Sequence, residues 1–120
     1  MFVGIARLTL AIPAASSLKD KRQVVRKILD RTRARFNVAA AEVADNDVWQ
    51  RAVLGFAVVG NDRAFARDSL DSVLRSIEAL DLAPELHREV ELVPLGDGQA
   101  LRTLADAEDD ASHVPFEDDP

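Results

Sequence analysis

Ser16-Ser17-Leu18-Lys19-Asp20-Lys21-Arg22 carries the densest chemistry in the chain. A serine that caps a helix accepts hydrogen bonds from free N–H groups of the first turn, and Asp20 stands at the third helical position, where a capping box puts its acid. Helix N-termini are partially positive and favour acids, yet Lys19, Lys21 and Arg22 crowd this one. A positive end made more positive is a candidate anion site. Arg26, one turn further on, extends the set, and Arg51 of the run Asp47-Val48-Trp49-Gln50-Arg51-Ala52 is a fifth, weaker candidate. Lys19, Lys21, Arg22, Arg26 and Arg51 are therefore the expected phosphate-binding residues. As solvated side chains, Lys21 and Arg22 should tolerate reversal to glutamate without loss of the fold.

Other chemistries find little support. There is no cysteine, and His87 and His113 are the only histidines, so thiolate and histidine-rich metal sites are excluded. Asp45/Asp47 and Glu89/Glu91 read as turn chemistry and a solvated strand face rather than a Mg²⁺ site. Ser16 and Ser17 are explained as caps and have no histidine nearby in sequence for nucleophile activation. Gly96-Asp97-Gly98 lacks the preceding strand and third glycine of a dinucleotide loop. The residues thus predict no catalytic constellation, no metal and no cofactor.

A chain of 120 residues, 48% hydrophobic and 30% charged, has the size and composition of one soluble globular domain. It lacks the apolar run of a membrane span and the layout of a signal peptide, which with the missing cysteines predicts a cytoplasmic protein with no membrane partner. The formal net charge of −6 hides a strong polarity. From Leu95 onward eight acids face Arg102 alone. From Lys19 to Arg35 eight bases face only Asp20 and Asp30.

The elements that must position these groups follow from periodicity. Phe2 to Ile12 alternates as a strand. Leu18, Val25, Ile28, Leu29, Thr32 and Phe36 recur at helical spacing, with the bases on the opposite side. Phe36 to Val43 reads as a second strand and Arg51 to Val59 as a third, the most apolar. Gly60-Asn61-Asp62 starts a second helix that ends near Asp81 and Pro84, and Leu86 to Val93 is a fourth strand. The order βαββαβ predicts an α+β, ferredoxin-like fold: a four-stranded antiparallel sheet, first and third strands central, both helices on one face. This domain spans 1–94. Residues 95–120 form an acidic, flexible tail with a short helix at Ala100 to Ala107.

Parity also assigns the two sheet faces. Phe2 and Phe56 fall on the helix-facing side, so core packing is favoured over the base stacking of RNA-recognition motifs, which share this topology. The open side carries Val3, Ile5, Ala39, Ala41, Val43, Val53, Ala57 and Val59. Such an apolar face predicts a homodimer. Val3, Ile5, Val43, Val53 and Val59, with Trp49 on the turn before the third strand, are the expected interface residues.

Several blocks in order resemble the YlxP-like proteins, a bacterial family of unknown function. They are Met1-Phe2-Val3-Gly4, Ser17-Leu18-Lys19-Asp20-Lys21-Arg22, Arg35-Phe36-Asn37-Val38 with Glu42-Val43, Trp49-Gln50-Arg51-Ala52, and Asn61-Asp62-Arg63-Ala64-Phe65. The chain departs at Val53, where a polar residue is the family's pattern, and in its acidic tail. The resemblance implies a ferredoxin-like fold and no established enzyme activity. The family's genes tend to sit among translation and ribosome-maturation genes, which implies ribosomal or other RNA as the partner by association.

Overall fold

A computed structural model describes residues 1–96. The short helix expected at Ala100 to Ala107, and all the tail's acids from Asp97 onward, lie outside the described residues. Six elements follow the expected order: β1 (Phe2–Ala11), α1 (Leu18–Arg35), β2 (Ala39–Ala44), β3 (Arg51–Gly60), α2 (Arg63–Leu80) and β4 (Glu85–Pro94). The antiparallel sheet is ordered β2-β3-β1-β4, so the two most apolar strands are central.

Alternation in β1 and β3 sends Ala6, Leu8 and Leu10 and Ala52, Leu54, Phe56 and Val58 to one face, where all are buried. The helices supply the matching stripes: Val25, Ile28 and Leu29 from α1, and Leu70, Val73, Leu74 and Ile77 from α2. Gly4 sets how close they come. A Cβ there would stand 3.1 Å from Val58 Cγ2 and 3.3 Å from the Ala66 carbonyl oxygen, so glycine is what lets α2 lie against β1.

Local chemistry sets the boundaries. Asp62 caps α2, its carboxylate accepting from the Ala64 N–H at 2.8 Å. Asp81 ends that helix in the left-handed region, with φ +52°. The second strand begins at Ala39, three residues later than expected from sequence. Phe36 is the C-cap of α1, its N–H still donating to the Thr32 carbonyl at 2.9 Å. Alternation in β2 turns Glu42, opposite Leu54 of β3, toward the helices and leaves Val43 exposed on the other face. The β2–β3 register then shifts between Glu42 and Ala44, a bulge that brings Ala44 opposite Val53. Arg33 of α1 donates to the Ala40 carbonyl, placing a cation along this edge strand, a recurrent device against edge-to-edge pairing.

Candidate anion-binding site

Ser17 caps α1 and accepts from the Asp20 N–H at 3.1 Å. Asp20 reaches back to take the Ser16 backbone N–H at 3.0 Å and the Ser16 hydroxyl at 2.8 Å. These hydrogen bonds, first that from the Ser16 backbone and then that from its hydroxyl, hold the Asp20 carboxyl below its ordinary value of 3.8. The chain's own serine and carboxylate thus answer N–H groups at the helix start that an external anion would otherwise use.

Lys21 is the larger correction. It is fully buried, and its ammonium makes an ion pair with Glu42 Oε2 at 2.7 Å. Its remaining protons go to the carbonyls of Asp45 at 2.6 Å and Asn46 at 3.3 Å. Glu42 Oε2 is itself buried and is held by charge rather than by a well-aligned hydrogen bond. No external phosphate can reach Lys21, and its reversal to glutamate would set two buried carboxylates against each other. The expectation that it is a solvated anion ligand is therefore withdrawn. The reason is tertiary: the β2–β3 turn presents two carbonyls and a carboxylate directly over this one position of α1.

The second informative run completes the same junction. The Gln50 side-chain amide donates to the carbonyls of Pro13 and Ala15, each at 3.3 Å, while the Gln50 backbone carbonyl accepts from Ile12 N–H at 2.9 Å. Arg51 pairs with Asp45 at 2.7 Å, and Asp45 occupies the left-handed region with φ 55°. Ser16, Ser17, Asp20, Lys21, Gln50 and Arg51 are thus one construction that locks the β1–α1 loop to the β2–β3 turn. Much of what reads as ligand chemistry in the sequence is architecture here. Trp49 stands 51% exposed on that turn.

Three of the expected residues remain available. Lys19, Arg22 and Arg26 are exposed on one face of α1, at i, i+3 and i+7. With Gln23 they line a cleft of about 230 Å³. Lys27 and Arg31 are exposed alongside. None of these five bases is paired with an acid among the described residues, whereas Arg33 lies 3.7 Å from Asp30.

A family model described as "Protein of unknown function (DUF503)" matches residues 3–88, from the second residue of β1 through α2 and into the first four residues of β4. The chain belongs to the DUF503 family. An uncharacterized protein, YlxP, of Bacillus subtilis (strain 168) is 36% identical over 88 residues, covering 73% of this chain and 92% of the relative. Two designed proteins give the structural likenesses, each at 14% identity. One, described as having a ferredoxin fold, reaches a TM-score of 0.47 over 86% of this chain and 95% of its own. The other, Foldit4, reaches 0.46 over 79% and 99%. The ferredoxin-like assignment of this DUF503 chain rests on its own strand order and helix placement.

The open sheet face of the DUF503 domain has the expected parity but not the expected exposure throughout. Val59 is 61% exposed, Val43 53% and Ile5 38%, with Val3 half-buried. Val53 is only 7% exposed, flanked by Thr9 of β1 and Ala44 at the bulged end of β2. It therefore offers little surface to a partner, and its substitution would disturb the monomer. The β4 side of this face is charged, with Arg7 and Glu89 paired at 2.6 Å. Among the described residues no group of three or more His, Cys, Asp or Glu is arranged to hold a metal, and no helix is long and apolar enough to cross a membrane.

Proposed function

We propose that this protein is a non-catalytic factor that binds the phosphate backbone of RNA through the exposed face of α1. The observation that carries this reading is the row Lys19, Arg22 and Arg26, with Lys27 and Arg31, without acidic partners among the described residues once Lys21 has turned inward. Five cations on the solvent side of one helix, unpaired among the described residues, exceed what solubility requires and form the footprint a polyanion needs. The YlxP resemblance points the same way, by association only. Affinity for a single-stranded oligoribonucleotide, followed by fluorescence anisotropy, should fall by about 0.7 log units per log unit of salt for each phosphate contacted. Three contacts on α1 predict a slope near −2, and a slope near zero would reject backbone binding.

A second reading is favoured by the open sheet face. Val59, Val43 and Ile5 surround small residues, Ala39, Ala41, Gly55 and Ala57, in a flat apolar area. On this reading two copies pack sheet to sheet and display two basic helices, one on each outer side. Sedimentation should then show a dimer at tens of micromolar that Val59→Asp with Ile5→Asp converts to monomer. A wild-type monomer at that concentration would rule it out.

A further inference from the structure

Two blocks of the family resemblance, Arg35-Phe36-Asn37 and the segment ending in Phe65, are explained by neither the α1 junction nor the basic face. They converge on a groove of about 370 Å³ between the C-terminal end of α1 and the N-terminal half of α2. That volume lies within the range of small-ligand clefts, about 300–1,000 Å³. We infer that this groove is a stacking site for one unpaired base of a single-stranded nucleic acid whose backbone runs along α1, an inference that rests on the α1 reading above.

The chemistry of the lining selects that occupant. Two phenylalanines line the groove, Phe36 half-buried at the end of α1 and Phe65 on α2 with 56% of its surface exposed. An exposed phenylalanine is a poor surface residue and a good platform for a planar ring. Gly60 is what accommodates it: a Cβ there would stand 2.8 Å from Phe65 Cδ2, so the ring lies directly against the strand end. Val58 and Val73 supply apolar floor. The polar groups are few and suit the edge of a base: the Asn37 amide offers both donor and acceptor, and Ser69 and Ser72 offer hydroxyls.

Charge selects it too. Among the described residues no acid lines the groove. Arg35 does, its guanidinium 5.2 Å from the centre of the Phe36 ring and donating to Ser76 Oγ at 3.3 Å. Lys27, Arg31 and Arg35 follow one another at i, i+4 spacing, so the basic face of α1 runs into the groove. A strand whose phosphates follow that row arrives with a base beside two phenylalanines. Bases held inside a duplex cannot leave the stack without cost, so the site selects single strands.

The test uses the full chain and three fluorescent probes at low salt: a single-stranded oligoribonucleotide, an abasic oligonucleotide of equal length, and a duplex of that length. Wild type should favour the base-bearing strand over the abasic one by about tenfold, the scale of one stacked base. Phe65→Ala and Phe65→Leu should erase that preference while leaving abasic affinity and the melting curve unchanged, and Phe65→Tyr should retain it. Leucine keeps the apolar volume without the aromatic face, which separates stacking from packing. Equal affinity for base-bearing and abasic strands in wild type, with steep salt dependence, overturns the groove and leaves the α1 reading standing. A base preference that survives Phe65→Leu, or a preference for the duplex, overturns it as well. Absence of binding to all three probes overturns both readings together.

Discussion

Lys21→Met should lower the unfolding free energy by about 3 kcal/mol, because it removes one member of a buried ion pair. The lower end of the range for such pairs applies, since Glu42 keeps 16% of its side chain in contact with solvent. Methionine preserves the length of the lysine stem but leaves the Glu42 carboxylate facing apolar atoms, and it deprives the Asp45 and Asn46 carbonyls of their donor. For a domain of this size the loss corresponds to a fall in melting temperature of more than about 10 °C. Arg22→Met, one residue further on and exposed, should change stability by no more than about 0.5 kcal/mol. Adding Glu42→Leu to Lys21→Met should recover most of the loss, since replacing both charges removes the uncompensated one. Thermal denaturation of the four proteins checks this. A Lys21→Met protein that melts with wild type would show that the ion pair contributes nothing to stability.

Arg22→Glu combined with Arg26→Glu should abolish most polyanion binding while leaving the fold intact. Both side chains are exposed, and neither is paired with an acid among the described residues. If each makes one phosphate contact, the electrostatic contribution at about 50 mM salt amounts to roughly eightfold per contact, or roughly sixtyfold for two. The salt slope should become shallower by about 1.4, a readout that misfolding would not mimic. Anisotropy titrations at several salt concentrations, with a melting curve for each protein, check this. Unchanged affinity and slope in the double variant would place the binding surface elsewhere. Lys21 is the instructive control: its reversal should destroy binding and fold together, so a loss seen with Lys21→Glu says nothing about phosphate contact.

The groove proposed to stack a base and the apolar sheet face occupy different sides of the molecule. Phe65 lies on the helix layer, and Val59 and Val43 lie mainly on the open face, with Val59 alone touching both regions. The proposed dimerisation and the proposed nucleic-acid binding would therefore be separable by substitution, Val43 and Ile5 reporting on one and Phe65 on the other.

The amino-acid sequence by itself determined the element order, the central placement of β1 and β3, the faces of the sheet and the short runs, Ser16-Ser17 and Gly60-Asn61-Asp62, that start the two helices. Those properties depend on period, on capping chemistry and on the alternation of apolar residues, all local along the chain. Parity alone places Phe56 in the core, where it is 3% exposed. Three features were decided only by tertiary structure. Lys21 and Lys19 share one helical turn and the same chemistry in sequence, yet one is buried and the other exposed, because Glu42 and the turn carbonyls lie over a single position. Val53 matches Val59 in type and parity, but Val53 is flanked by both Thr9 and Ala44, whereas the β2–β3 ladder starts at Ala57 and gives Val59 no β2 neighbour. The Phe36–Phe65 groove joins residues 29 positions apart, brought together only when α1 and α2 settle on the same sheet. A charge's fate depends on what long-range contact sets opposite it, and no local pattern in the chain encodes that.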